Sequence, residues 1–228
     1  MIPMTYRAIA IDGPSGAGKS TLAKALAKEL GFLYVDTGAI YRTVGLAALR
    51  RGIAPGDEAN VLPILPALRI ETAYAADGLQ HMYLDGEDVT EAIRQHQVSD
   101  AASQVSAIPG VRAFLLDMQR RFARENNVIM DGRDIGTVVL PDAKVKIFLT
   151  AQPEARARRR FDELVARGQQ ADYETILEDV KARDYRDSHR DTAPLKLAED
   201  GVEVDTTELT LEQSMERLLD LVKERLTL

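Results

Sequence analysis

The run from Tyr6 to Thr21 reads YRAIAIDGPSGAGKST: a short apolar segment, then a glycine-rich turn. The turn runs into STLAKALAKEL (20–30), an Ala/Leu/Lys stretch stopped by Gly31. That order is strand, loop, helix. Within it Gly13, Pro14, Ser15, Gly16, Ala17, Gly18, Lys19 and Ser20, followed by Thr21, fill the pattern G-x-x-x-x-G-K-[ST] in the strand-to-helix setting that the pattern needs. The glycines let backbone N–H groups turn inward around phosphate oxygens, and the helix N-terminus adds partial positive charge. Lys19 is expected to reach the β- and γ-phosphates of a bound nucleotide, and the Ser20 hydroxyl to ligate Mg²⁺.

Outward from this loop the chain keeps an alternating rhythm. FLYVD (32–36) reads as a second strand and GAIYRTVGLAALRRG (38–52) as a helix ended by Gly52. Between 56 and 98, Pro63 and Pro66 break a leucine-rich piece, and alternating runs at 68–74 and 80–84 flank AADG and end in DGED, the pattern of a small antiparallel insertion. Helical spacing returns at 99–125, interrupted at Pro109-Gly110, with Val111, Leu115, Met118 and Phe122 on one stripe. NVIMD (127–131), KVKIFLT (144–150) and GVEVDT (201–206) are three further strands. Helices are expected at 153–167 and about 173–190, and a last one bearing Leu211, Met215, Leu218 and Val222 behind a Thr210/Gln213 capping box. Five strands alternating with helices predict an α/β fold with a doubly wound parallel sheet.

Composition narrows the chemistry. The 228 residues carry no cysteine, which excludes a disulfide framework, a thiolate nucleophile and Cys-ligated zinc, and makes a reducing cytoplasm the expected home. The opening apolar stretch is too short for a signal peptide core, and no segment approaches the ~18 apolar residues of a membrane span. A formal charge of −7 argues against a duplex nucleic-acid binder. Yet 21 of the 29 basic residues are arginine, clustered at 156–160 and 183–190, as suits a small phosphorylated ligand.

The loop alone leaves GTPases, motors and small-molecule kinases open. No N-K-x-D occurs and no aspartate opens D-x-x-G, so a guanine switch is unsupported. Asp131, ending the apolar run VIM, either meets the Mg²⁺, directly or through water, or caps a loop.

DGPSGAGKST (12–21), VDTGAIYR (35–42), AASQVSAIPGVR (101–112), MDGRDIGTVVLPDAKVKIFLTA (130–151) and RDYRDSHRDTAPL (183–195) together resemble the bacterial cytidylate kinases, from about residue 6 to the C-terminal helix. The resemblance implies a P-loop nucleoside-monophosphate kinase with a five-stranded parallel core at 1–55 and 99–228, a helical lid at about 152–172, and an acceptor-binding insertion at 56–98. It implies phosphoryl transfer from ATP to CMP or dCMP by a monomer, with no nucleic-acid or membrane partner. Competing readings are another P-loop small-molecule kinase, with a UMP/CMP, AMP or shikimate acceptor, and a nucleotide-binding module without turnover.

Carried onto this sequence, the family's motifs put Arg42, Arg133 and Arg190 on the acceptor phosphate. They put Asp134 on cytosine N4, Arg112 and Ser103 on the rest of its polar edge, and Arg183 and Asp187 on the ribose hydroxyls. Thr37 holds a D-[ST]-G position whose hydroxyl meets the acceptor. The arginines 156, 158, 159 and 160 fall in the lid; Arg156 and Arg160 are the expected contacts to ATP. Read by spacing alone, Arg183, Arg186, Asp187 and Arg190 share one helix face.

Overall fold

The first strand, β1 (Ala8–Asp12), buries Ile9, Ala10 and Ile11 completely, as a central strand must. This computed structural model describes residues 6–75 and 78–226. Successive elements are α1 (Lys19–Leu30), β2 (Leu33–Asp36), α2 (Thr37–Arg50), a four-residue α3 (Glu58–Val61), β3 (Ile70–Tyr74), β4 (Gln80–Leu84) and β5 (Glu87–Asp88). Then come α4 (His96–Val105), α5 (Pro109–Glu125), β6 (Val128–Gly132), β7 (Val145–Thr150), α6 (Pro153–Ala166), α7 (Tyr173–His189), β8 (Val202–Asp205) and α8 (Leu211–Leu226).

The five expected strands form a sheet in the order β2-β6-β1-β7-β8. β1 pairs in parallel with β7, Ile9 opposite Val145 and Asp12 opposite Phe148, and β7 pairs in parallel with β8. Chain order reverses direction across β1. This is the switch point at which open α/β sheets hold ligands beyond the carboxyl ends of their strands, and the glycine-rich loop leaves β1 at that end.

The described residues divide into two compact units, one within 33–128 together with Tyr6, the other of 7–32 with 129–226. In the first, the antiparallel sheet β3-β4-β5 sets Ile70 opposite Leu84 and Tyr74 opposite Gln80. Its apolar face (Ile70, Met82, Leu84) joins a core built from α2, α4 and α5, including Ile40, Val44, Val98 and Leu115. Met118 and Phe122 of the expected stripe pack at its margin. Pro109 at the N-terminus of α5 divides the 99–125 segment, because its ring cannot donate to the preceding turn.

In the second unit α6 and α7 share a satellite core of Ala157, Ile176 and Val180, with Phe161, Leu164 and Tyr173 against it. The Thr210/Gln213 box closes α8 as expected: Gln213 N donates to Thr210 Oγ1 at 3.2 Å, and Thr210 N to Gln213 Oε1 at 2.9 Å. Leu211 departs from the expected stripe and is exposed, while Ser214 and Leu221 are buried beside Leu218 and Val222. Sequence reading joins β6 to β7 by an irregular link. The structure places a single π turn there, Ile135–Val139, because its first two amides are held by a carboxylate 123 residues away.

Candidate active site

The phosphate cradle lies wholly in the second unit. Gly13 has φ +146°, and a Cβ there would lie 1.9 Å from the Leu149 carbonyl oxygen, so only glycine lets β1 leave the sheet at this point. Gly18, also left-handed at φ +88°, ends the loop as the N-cap of α1 without a capping side chain, which leaves the first-turn N–H groups of α1 open to an anion. Lys19 is buried and donates from Nζ to the Pro14 carbonyl at 2.7 Å, holding its ammonium across the loop. Burial, then the Arg133 guanidinium, push that ammonium well below its ordinary pKa; Asp131 opposes them, Arg183 adds to them, and Asp12 opposes. A lysine so crowded by cations is one that a polyanion would relieve.

Ser20 Oγ donates to Asp131 Oδ2 at 2.7 Å, and Asp131 is buried. The carboxylate one residue before the end of β6 thus faces the P-loop hydroxyl. Two hard oxygen donors beside a phosphate cradle fit Mg²⁺, which keeps most of its shell for water and phosphate.

From β6 and α7 the same unit gathers a second group. Arg133 donates from Nε to Asp187 Oδ2 at 2.9 Å and from Nη1 to the Gly132 carbonyl at 3.2 Å. Arg190 caps the end of α7, donates from Nε to the Ala193 carbonyl at 2.7 Å and places Nη2 3.8 Å from Asp134 Oδ1. Burial alone would raise the Asp187 carboxyl; Arg133, Arg183 and Arg190 outweigh it and hold the group below its ordinary range. Arg133, Asp134, Arg183, Asp187 and Arg190 are thus one electrostatic group. Arg186 does not join them: it is exposed, and Asp184 takes an inward position instead.

The lid arginines separate by partner. Arg156 is buried and donates to the Ser15 and Ala151 carbonyls and to Asp184. Arg158 lies over the rings of Phe161 and Tyr173, and Arg159 donates to the Thr206 carbonyl at 2.6 Å. Arg160 is exposed.

In the first unit, Asp36 is the N-cap of α2, accepting from Ala39 N at 2.9 Å and from Arg42 Nη2 at 3.2 Å. The Arg42 Nε is buried with no hydrogen-bond partner among the described residues. Thr37 is buried at the first position of the same helix. Arg112 extends over the Tyr41 ring, 5.5 Å from its centroid, and donates to the Ser106 carbonyl at 3.0 Å; Ser103 is half-buried on α4.

Sequence reading passes over four residues here. Gln80 on β4 clasps Asp36, accepting from its N–H at 2.8 Å and donating to its carbonyl at 3.3 Å, which ties the small sheet to the β2–α2 junction that carries Thr37. No local pattern signals such a contact across 44 residues. Asp36 had a signal, the D-T-G-A run of a helix cap. Asp184 on α7 is the acidic partner of Arg156. Asp12 stands directly before Gly13 and accepts from Ile135 N and Gly136 N, both at 2.7 Å, anchoring the peptide that follows Asp134.

Burial pushes the Asp12 carboxyl up to about 6; the Gly136 and Ile135 N–H groups pull it down, Asp134 pushes it up, and Lys19 pulls it down. The folded chain therefore binds a proton here more tightly than the unfolded chain, whose group titrates near 3.8. The contribution to stability is fully present below about 4, is lost as pH rises to about 6, and is constant above. Over those two or so units it amounts to at most about 3 kcal/mol. Urea unfolding of the wild type and Asp12→Asn between pH 4.5 and 7.5 should show the wild type losing ground up to about pH 6.5 and none beyond. A difference independent of pH would mean an ordinary carboxyl.

Comparison with known proteins agrees with these features. Residues 9–224 match the family model described as cytidylate kinase. A cytidylate kinase of Caldicellulosiruptor bescii is 51% identical over 93% of this chain and 94% of its own length. One of Caldanaerobacter subterraneus is 50% identical over 98% and 97%. Among solved structures, an uncharacterized protein from Eubacterium ventriosum superposes over 96% of this chain and 99% of its own at a TM-score of 0.51 and 12% identity, a likeness of fold.

Proposed function

The chain belongs to the cytidylate kinase family, and from that premise we propose that it transfers the γ-phosphoryl group of ATP to CMP or dCMP, giving ADP and CDP or dCDP. The observation that carries the reading is a complete P-loop, with Lys19 buried among arginines, in a chain about half identical to cytidylate kinases along nearly its full length. Other small-molecule acceptors and a module without turnover are not favoured. We take the enzyme to be a cytoplasmic monomer acting on small molecules, and its net charge of −7 supports the exclusion of nucleic acid.

In this reading residues 13–21 hold the ATP phosphates. Ser20 and Asp131 hold Mg²⁺, which when bound neutralises charge on the β- and γ-phosphates. Arg160, at the exposed face of the lid, is the arginine free to fold over the transferring group, while Arg156 serves ATP through the loop itself. Arg42, Arg133 and Arg190 take the acceptor phosphate, and Arg183 and Asp187 the ribose hydroxyls. Thr37 donates to the acceptor, and the segment 56–98 completes acceptor binding through the Gln80 clasp on the β2–α2 junction.

The acceptor oxygen needs no general base, because a phosphate monoester is largely dianionic above its second pKa of about 6. His81, His96 and His189 accordingly have other partners: Asp88, Asp100 and the Tyr185 ring. What the chain supplies is alignment of two polyanions and cations to spread their charge.

Base choice tests the assignment most directly. Cytosine offers an amino donor at N4, so the Asp134 carboxylate accepts from it; uracil sets O4 against that carboxylate, two acceptors face to face. Asp134→Asn supplies an amide that can donate to O4. The ratio of kcat/KM for CMP over UMP, read by ADP release at saturating Mg-ATP across the common nucleoside monophosphates, should narrow by one to two powers of ten, since a good base contact discriminates by about 1–3 kcal/mol. An unchanged ratio in a folded variant removes Asp134 from the base.

A further inference from the structure

Arg156 is the lid arginine whose geometry a contact to ATP does not explain. Its side chain is about 2% exposed. Nε donates to the Ala151 carbonyl at 2.8 Å, and Nη1 to the Ser15 carbonyl and to Asp184 Oδ1, each at 3.0 Å. Nη2 donates to the other Asp184 oxygen. Its stem packs against the loop, with the position of a Cβ on Gly16 only 3.3 Å from the Arg156 Cβ. One rigid fork thus grips three segments: the end of β7, the phosphate cradle and α7.

The place of Asp184 gives this grip a consequence. It follows Arg183 and precedes Asp187 by three residues, one helical turn. Asp187 in turn holds Arg133, and Arg190 ends the helix. Meanwhile a P-loop peptide that turns its N–H toward a phosphate turns its carbonyl away, and the outward carbonyl of Ser15 is the one that Arg156 holds.

We propose that the Arg156–Asp184 pair is a positioning device that couples the two substrates: occupation of the P-loop by ATP fixes α7, and with it Arg183, Asp187 and Arg190, for the acceptor nucleotide. The inference rests on the assignment of α7 to acceptor binding. A polyanion drawn onto the loop's N–H groups shifts the Ser15 peptide, and a two-point ion pair whose guanidinium is buried and whose Asp184 carboxylate is 26% exposed passes that shift to the helix through its fixed fork. The effect is reciprocal, so CMP tightens ATP by the same factor that ATP tightens CMP.

Calorimetric titration of CMP, with and without a saturating non-hydrolysable Mg-ATP analogue, reads the coupling. The wild type should bind CMP at least about fivefold more tightly when the analogue is present, the lower end of usual coupling between sites. Asp184→Asn should bring that factor within about twofold of one while changing CMP affinity of the nucleotide-free protein by less than about threefold. Arg156→Lys keeps the charge and loses the fork, and should likewise lose the coupling. Amide exchange of residues 180–190 in the wild type should slow when the analogue alone binds. A coupling factor near one in the wild type, unchanged exchange in α7, or full coupling in Asp184→Asn overturns the proposal. A merely structural role for the pair weakens CMP equally with and without the analogue and leaves the factor intact. Failure of the α7 assignment looks different: Arg190→Ala then leaves CMP affinity untouched, whatever Asp184→Asn does.

Discussion

Replacing Lys19 with methionine should lower kcat by about a thousandfold or more while the protein stays folded. A single donor aimed at developing transition-state charge contributes two to three powers of ten, and an ammonium held in a buried loop contributes at the upper end. In the nucleotide-free protein Lys19 is a cation pressed by its own burial and by Arg133 and Arg183, with Asp131 and Asp12 only partly offsetting them. Removing it relieves that crowding, so the melting temperature without nucleotide should hold or rise, and the rise on adding Mg-ATP should shrink. Steady-state ADP release and thermal melts with and without Mg-ATP check both halves. Near-normal turnover in a folded Lys19→Met chain would remove the P-loop from the chemistry.

What was legible in the sequence divides along the range of the interactions involved. Gly13, Gly18, Lys19 and Ser20 fall within eight consecutive residues, so a pattern finds them, even though what demands Gly13 is the distant Leu149 carbonyl on β7. The capping box of α8 is local as well, spanning three residues. The inner strands are legible because burial on both faces leaves near-continuous apolar runs such as AIAI and VKIFL, and the edge strand β8 because it alternates, with Val204 buried between exposed Glu203 and Asp205. The π turn at Ile135–Val139 was hidden because its β-branched residues, IGTVV, have no helical bias, and its first amides are held by Asp12 from the far end of another strand. Gln80 and Asp184 were hidden for the same reason: their roles lie in partners 44 and 28 residues away. Spacing on α7 pointed to Arg186, four residues before Arg190, yet the helix turns that residue to solvent and Asp184 inward. An i, i+3, i+4 pattern in a helix rich in charge on every face does not say which face is covered. The acceptor-side residues came from the resemblance, since nothing local separates Arg133 from an ordinary surface arginine.

That group gives the second large effect. Arg190→Ala and Arg133→Ala should each lower kcat/KM for CMP by two to three powers of ten, because a bidentate guanidinium contact to the acceptor phosphate is lost beside the reacting centre. Affinity for Mg-ATP alone should change less than about threefold. The two variants should differ in stability. Arg133 donates to Asp187, a carboxylate whose side chain is only 7% exposed, so Arg133→Ala leaves a buried charge with less compensation and should cost up to about 3 kcal/mol. Arg190 stands 3.8 Å from Asp134 and donates to the Ala193 backbone carbonyl at 2.7 Å, so its loss should cost the fold about 1 kcal/mol. Urea melts beside CMP and ATP kinetics separate the terms: equal stability losses would mean that the Arg133–Asp187 pair is weaker in solution than its geometry implies. A collapse of ATP affinity with CMP binding intact would put both arginines on the donor nucleotide, since a residue that holds the acceptor phosphate cannot lose ATP and keep CMP unchanged.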